Sequence, residues 1–488
     1  MNEVVDEIYE NETAEELYER IQSEKERLIS EGKLKKQKKL PEISEDEIPF
    51  EIPKSWKWVY INEIADIYTG NSISENLKKN IYSQVCEGYD YIGTKDINFD
   101  GKINYNTGLK VPFNEKKFKK AYKNSILMCI EGGSAGKKIT FLDKEVCFVN
   151  KLCSFNIIIA NPRYIYYFFK SPIFNMFFNS KLNGLIGGVS ILKLKTIHIP
   201  LPPLGEQKRI SELIDRLFVK LDEAKEKVLS ELNTFELRKA KILHLAIQGK
   251  LSKQIDEYKT AEELYEKIQI EKEKLISERK LKKQKKLPEI SEDEIPFEIP
   301  KSWKWVRLGE IFNIIMGQSP DGESINTENN GVEFHQGKIY FDKDYILESE
   351  YFTSKPTKIV EANTVLLCVR APVGTLNITN RTICIGRGLC GIDTFKNIDP
   401  KFILYFLRGF EQDFIKKATG TTFIAITVEV IKNQVFPLPP LEEQKKIVEL
   451  LDNIFEKEEK SKKLIESTLN KIELIKKSIL ARAVRGEL

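Results

Sequence analysis

The sequence is short of the residues that most often carry chemistry. Only 3 histidines occur in 488 residues, His198, His244 and His335, and none has a cysteine or histidine partner at ligand spacing. A metal centre is therefore not expected. The 7 cysteines (Cys86, Cys129, Cys147, Cys153, Cys368, Cys384 and Cys390) are odd in number and form no CxxC pair, which predicts reduced, buried thiols in a cytoplasmic chain. No apolar run reaches the length of a membrane span, so no membrane partner is expected. The N-terminal stretch MNEVVDEIYENETAEELYER is acidic and helical in pattern and does not suit a signal peptide. An excess of one charge is missing too. With 77 basic and 73 acidic side chains the net charge is +4, which neither demands nor excludes nucleic acid.

Cofactor loops are also lacking. GGSAGKK (132–138) resembles a phosphate-cradling loop, but the first glycine of GxxxxGK[ST] and the hydroxyl residue after the lysine are missing. Its counterpart APVGT (371–375) drops the lysine as well. NPRY (161–164) lacks the inner proline of an amino-methyltransferase tetrapeptide, and no GxGxxG-like loop precedes it. The first two read as turns between strands, and the third as a turn and helix start. No catalytic residue and no bound cofactor are expected on this chain.

What the sequence does have is repetition. Residues 13–59 recur at 260–306 with differences only at Arg20/Lys267, Ser23/Ile270, Arg27/Lys274 and Gly32/Arg279. Residues 204–251 align without gaps to 441–488. The blocks between, from about 60 to 199 and from about 307 to 436, share scarcely any identity. A solenoid needs more units to bury a core. A pseudo-twofold monomer, like a homodimer fused end to end, fits better. The order along the chain is an N-terminal arm (1–55), a first globular block (56–203), a central long helix with the repeated arm (204–302), a second block (303–440) and a C-terminal long helix (441–488).

Each block ends in proline-rich chain, IPLPPL at 199–204 and FPLPPL at 436–441. Proline fixes φ and cannot continue a helix upstream, so each long helix begins just after it. Apolar residues at 3–4 spacing follow: Ile214, Leu217, Leu221, Ala224, Val228, Leu232 and Phe235, then Ile447, Leu451, Ile454, Ile465, Leu469, Ile472 and Ile479. That is the seam of a coiled coil, interrupted in the second helix by Glu458 and Ser461. Two antiparallel rods of at most about 70 Å are expected. Each arm opens on a capping box (Thr13 and Glu16; Thr260 and Glu263). A lysine run follows, at 33–39 and 280–286. It suits a helix C-terminus or a phosphate contact beside each block.

Both blocks follow one order: short strands with Gly and Asn turns, a helix, then the proline strand. This predicts an α+β fold of two globular domains, a kept scaffold under a differing surface. Loop residues of the types that hold phosphates and read base edges are Asn71, Tyr91, Thr94, Lys95, Lys137 and Lys138 in the first block. In the second they are Gln318, Gln336, Lys338, Arg370, Arg381 and Arg387.

On these motifs the chain resembles the specificity subunit of type I restriction–modification enzymes. The resemblance lies in Ile199–Gln207 and Phe436–Gln444, which follow [IF]PLPPLxEQ, and in Gly188–Leu204, with Ser190, Ile191 and Leu194 in place. Block two has Thr427, Val428 and Ile431 there, and 317–337 and 91–97 resemble the openings of family recognition domains. The resemblance implies a non-catalytic subunit whose two target-recognition domains read the halves of a bipartite, asymmetric double-stranded DNA site, with the helices setting the gap. It also implies two methyltransferase subunits that carry S-adenosylmethionine and perform N6-adenine DNA methylation. Up to two restriction subunits would carry ATP and Mg. Glu206, Gln207, Glu443 and Gln444, beside each hinge, are the expected subunit-interface residues. A stand-alone DNA methyltransferase and a protein-only coiled-coil scaffold are the competing readings; the first needs a cofactor pocket and the second predicts no salt-dependent DNA binding.

Overall fold

A computed structural model describes residues 12–182, 187–251, 260–395, 398–419 and 425–488. The stretch at 1–11, read as acidic and helical, lies outside them. The chain forms two compact units: Met1–Val228 with Glu466–Leu488, and Leu229–Ile465. No described helix is long and apolar enough to cross a membrane.

Unit one opens with helix α1 (Ala14–Ser30), whose capping box at Thr13 and Glu16 is formed. Strand β1 (Lys57–Tyr60) follows the arm, then β2 (Ala65–Thr69), β3 (Tyr89–Ile92), β4 (Lys110–Val111), β5 (Lys120–Ala121), β6 (Ile126–Cys129), β7 (Ile139–Phe141), β8 (Val146–Phe148) and β9 (Leu152–Ile157). Helices α2 (Pro162–Lys170) and α3 (Pro172–Ser180) come next, then β10 (His198–Leu201) and the long helix α4 (Leu204–Ile247). Asn161 caps α2 with Pro162 in its first turn, the helix start read from NPRY.

The central layer is a four-stranded antiparallel sheet in the order β2-β9-β6-β7. Its middle strand β6, ILMC, is apolar at every position because both faces are covered. Ile126 and Met128 join the core of α2 and α3, where Tyr164, Phe168, Phe169, Phe174 and Phe178 are buried. Leu127 and Cys129 face a second sheet, ordered β4-β3-β8-β5, in which β3 and β8 run parallel.

Unit two repeats the plan. Helix α5 (Ala261–Ser277) leads through the arm to β11 (Lys304–Arg307), β12 (Phe312–Met316), β13 (Ile325–Asn326), β14 (Val332–His335), β15 (Phe352–Thr353), β16 (Ile359–Val360), β17 (Val365–Cys368), β18 (Leu376–Ile378), β19 (Ile383–Ile385) and β20 (Leu389–Thr394). Then follow α6 (Pro400–Gly409), α7 (Glu411–Lys417), β21 (Val435–Leu438) and α8 (Leu441–Arg485). Its sheets are β12-β20-β17-β18 and β13-β15-β14-β19-β16, with β14 and β19 parallel. The same order in two unlike sequences, with β13 added at one edge of the second sheet in unit two, makes the fold α+β twice over. One local reading fails: Thr260 makes no side-chain cap bond at α5.

The proline chain is built identically in both units. His198–Leu201 pairs antiparallel with Lys57–Tyr60, and Val435–Leu438 with Lys304–Arg307. The long helix then leaves, held back to its block by matched polar ties. Asp215 accepts from Arg163 at 2.6 Å and from the Tyr167 hydroxyl; Asp452 accepts from Lys401 at 2.8 Å and from the Tyr405 hydroxyl. Within unit one the C-terminal part of α8 lies beside α4, with Lys225 paired to Glu473 at 2.7 Å and Lys476 to Asp222 at 2.5 Å, so the helices run in opposite senses. Within unit two Arg238 meets Glu458, the carboxylate read as a flaw in the seam, at 3.3 Å. Ile214 and Phe235 are buried on the seam, whereas Ala224, placed there by the sequence pattern, is exposed.

Candidate nucleic-acid interface

Three loop ends meet at one rim of each block, and the backbone bonds that gather them are the same in both. In unit one the Asn71 amide donates to Phe148 O (2.9 Å), Val149 to Ile92 O (3.0 Å) and Ile130 to Lys151 O (3.0 Å). In unit two Gln318 donates to Ile385 O (3.0 Å), Gly386 to His335 O (2.7 Å) and Val369 to Gly388 O (2.9 Å). A fourth segment is pinned at Glu131–Gly188 and at Arg370–Ala425. Gly70 and Gly317 make the close approach possible: a Cβ would lie 1.9 Å from Phe148 O at the first and 2.2 Å from Gly386 O at the second.

On this common frame the side chains differ. Asn71 stands where unit two has Gln318, Asn150 where it has Arg387, and Glu131 where it has Arg370. Ser72 and Ser319 are shared, and each touches the variable neighbour: Ser72 Oγ donates to Asn150 Oδ1 at 2.7 Å, and Arg387 Nε donates to Ser319 Oγ at 3.4 Å. After β3 a single turn, Thr94–Asp96, carries exposed Lys95; after β14 the chain holds one extra residue, exposed Gln336, before the turn Lys338–Tyr340. Lys338 is exposed there, and Ile339 is 83% exposed.

The rim thus brings together Asn71, Thr94 and Lys95 in unit one, and Gln318, Gln336, Lys338, Arg370 and Arg387 in unit two. Lys137 is exposed on the neighbouring turn, and Lys138 on the same turn is half-buried, donating to Thr94 O at 2.9 Å. A cavity of about 600 Å³ beside the unit-one rim is lined by Lys78, Lys79, Lys95 and Lys151 together with the carboxylates of Glu75, which pairs with Lys78 at 2.5 Å, and Asp96. Lys78, Lys79, Lys151 and Asn150 were missed from sequence. The signal was present in G-N-S at 70–72 and G-Q-S at 317–319, which mark matched positions in otherwise unlike blocks.

Two expected readers are scaffold residues instead. Tyr91 is 3% exposed, packs among Ile73, Tyr82 and Phe118, and donates its hydroxyl to Asn71 O at 2.7 Å. Arg381 is consumed by Glu333, donating from Nε and Nη2 at 2.6 Å each and onward to the Leu347 carbonyl. The matched pair in unit one, Lys144 with Asp90 at 2.7 Å, does the same work. Burial favours a protonated Glu333, but bonds from Arg381, the Ser349 amide and His335 hold its carboxyl down at about 2.

Three of the four hinge residues need a similar correction. Gln207 and Gln444 are fully buried, with Nε2 donating to Pro202 O (2.7 Å) and Pro439 O (2.9 Å). Gln207 Oε1 also accepts from the Asn161 amide at 2.8 Å. Glu443 is 2% exposed and accepts from the Trp303 indole at 2.8 Å; Glu206 accepts from Trp56 at 2.7 Å. Gln207, Gln444 and Glu443 face inward and lock the joint, which removes them from a docking surface, whereas the Glu206 side chain stays 27% exposed and also accepts from Arg209 at 3.4 Å.

GGSAGKK and APVGT are turns between β6 and β7 and between β17 and β18. Among the described residues no group of His, Cys, Asp and Glu could hold a metal ion.

The comparisons with known proteins agree with this geometry. The model of the type I restriction modification DNA specificity domain matches residues 53–234 and 300–471, once per unit plan. The type I restriction enzyme EcoAI specificity subunit of Escherichia coli is 28% identical over 539 residues, covering 94% of this chain and 87% of that protein. The solved HsdS subunit from Thermoanaerobacter tengcongensis is 25% identical with a TM-score of 0.57, covering 90% of this chain and 99% of that one. A chain from a structure of complex assembly and conformational transition in the type I R-M system is 26% identical with a TM-score of 0.66, covering 90% and 100%. A family domain matched twice, on two blocks of one topology joined by long helices, settles the lineage: the chain belongs to the type I restriction modification DNA specificity family.

Proposed function

We propose that this DNA-specificity subunit reads a bipartite, asymmetric double-stranded DNA site, one half with each rim. The observation that carries the reading is the common backbone frame holding different polar side chains at matched positions, Asn71/Gln318, Asn150/Arg387 and Glu131/Arg370. Asn and Gln suit adenine, and Arg suits guanine, so unlike rims recognise unlike half-sites. The lysines around the unit-one cavity supply phosphate contacts that position the duplex without reading it.

Chemistry belongs to partners. Two modification subunits bind S-adenosylmethionine and methylate adenine N6, and restriction subunits, where present, use ATP and Mg. The chain supplies recognition and geometry. Helices α4 and α8 form an antiparallel coiled coil that spaces the readers and offers its outer face to the modification subunits, the buried hinge residues serving the joint instead. Two readers on one face of B-DNA sit about one helical turn, roughly 34–36 Å, apart. Helices of 44 and 45 residues, about 66 Å long, suffice for that when they overlap.

Methylome sequencing of cells co-expressing the chain with its modification subunit tests the proposal. A split N6-methyladenine motif is expected, and Gln318→Asn with Arg387→Asn should alter only one half of it. A motif that is continuous, or one whose two halves both change, contradicts the assignment of one rim to one half-site.

A further inference from the structure

The lysine runs of the two arms are placed by the fold in a way that the helix-end reading does not account for. Helix α1 is capped at Glu31 and α5 at Glu278, and all five lysines of each run lie beyond the cap, the last four well past the turn where a helix dipole acts. The path there is fixed. Lys33 and Leu34 amides both donate to Leu28 O at 2.9 and 3.1 Å, and Lys280 and Leu281 both donate to Leu275 O at 2.9 and 3.1 Å. The far end of the second strip is pinned by the buried Arg307 guanidinium, which donates to Pro288 O at 2.7 Å and Glu289 O at 3.0 Å. Even the left-handed position at the start of the strip is kept, by Gly32 (φ 69) in one arm and Arg279 (φ 58) in the other.

Along the strip the chain alternates with a period of three. Leu34, Gln37 and Leu40 turn inward, fully or partly buried, while Lys35, Lys36, Lys38 and Lys39 are exposed. The same holds at 281, 284 and 287 against the lysines at 282, 283, 285 and 286. Nearby lysines of the arms are paired, Lys33 with Glu31 and Lys57 with Glu15, both at 2.7 Å. Among the described residues none of the eight outward lysines has an ion pair.

We propose that these two strips are phosphate-backbone contacts, one beside each reader, gripping duplex DNA regardless of its sequence. Four charges over about 13 Å of extended chain approach the linear density of one DNA strand, one phosphate per about 3.4 Å. The strips are identical while the blocks beside them differ, so the partner presents the same chemistry at both ends of the site: phosphates do, base edges do not. A protein-docking surface is built around aromatic, apolar or arginine anchors, and the outward positions of 35–39 are lysine alone. The inference rests on the DNA-reading role proposed above.

The test uses the full chain with its co-expressed modification subunits and the methylated site as probe, with affinity measured against NaCl concentration. Glutamine at all eight positions should flatten the plot of log affinity against log salt by roughly 0.9 for every lysine that meets a phosphate. Cognate and random DNA should weaken equally, with the methylated motif unchanged, and arginine at the eight positions should restore the slope. A wild-type slope in the glutamine variant overturns the proposal; if that variant also loses its modification subunits on purification, the strips are protein-docking surfaces. Wild-type binding that ignores salt and sequence overturns the DNA-reading role itself and the strips with it.

Discussion

The indole Nε1 of Trp56 donates to the Glu206 carboxylate at 2.7 Å, across 150 residues of chain, and Trp303 repeats the bond with Glu443 at 2.8 Å. Each tryptophan opens its block and each glutamate sits in the first turn of a long helix. Direction of block and direction of helix are thereby coupled. The two copies differ in burial: Glu443 is 2% exposed, whereas the Glu206 side chain is 27% exposed. Removing a donor from a buried carboxylate costs more than removing it from one that water reaches. Trp303→Phe should therefore destabilise unit two by about 2 kcal/mol, and Trp56→Phe should cost unit one less. Urea melts of the two variants, compared by midpoint, check the order.

Gly70 and Gly317 hold the rim together by having no side chain. A Cβ at Gly70 would meet the Phe148 carbonyl at 1.9 Å, and backbone there cannot swing aside as a flexible side chain would. Gly70→Ala should push the 70–72 loop off the 148–151 turn and abolish recognition of the half-site read by unit one. Gly133→Ala, on the turn after β6, meets nothing within 4 Å and should leave methylation intact. Methylation of the bipartite site, scored for both variants, separates a rim effect from a general one.

Much of this architecture was legible in the sequence because it is local or repeated. The proline strand ends, the starts of α4 and α8 and the turn at 132–138 each depend on a few neighbouring residues. Rim membership is non-local. Asn71, Lys95 and Asn150 come together only through the pairing of β3 with β8 and the bond from Asn71 to Phe148 O. Tyr91 and Arg381 looked like readers because their types suit DNA. One alternates inward on a strand and the other finds Glu333, 48 residues away. Gln207, Glu443 and Gln444 are buried for a related reason: polar side chains at a joint are needed to satisfy buried backbone and indole groups. Local words also mislead, since Thr13 caps its helix and Thr260, in the same words, does not.

Unit two should lose stability in acid in two steps. His335 is fully buried, with Nε2 against Glu333 at 2.7 Å, and burial pushes its imidazole below its ordinary value. The unfolded chain then takes up the proton first, so stability falls as pH drops below the model-peptide range of about 6.5. Glu333 adds to this. Its carboxyl sits at about 2 when folded against 4.5 ordinarily, so its contribution is complete above 4.5 and is lost as pH falls toward 2. Unit one has Ile92 where unit two has His335, but its own buried His198, pushed down by burial in the same way, gives it a titration of the same sign. His335→Ile should flatten the urea midpoint of unit two between about pH 6.5 and 5. Arg381→Ala should lower its stability by about 2 kcal/mol, and Arg381→Lys should cost less, since Lys144 serves Asp90 at the matched position.

The length of the helices should be written into the methylated motif. Residues 229–232 and 466–469 are matched by the repeat and lie near the centre of α4 and α8. Deleting both four-residue segments removes about 6 Å of rise and turns each helix end by about 40°. On B-DNA the rise corresponds to about two base pairs and the rotation to about one. The duplex must satisfy both at once, so the gap between half-sites should shorten by one or two base pairs. Both rims lie outside the deleted segments, and the half-sites themselves should stay as they were. Sequencing of N6-methyladenine in cells carrying the double deletion reads both quantities together. An unaltered gap would mean that the helices are not the ruler, and an altered half-site would mean that the joints at Trp56 and Trp303 do not insulate the rims from the rods.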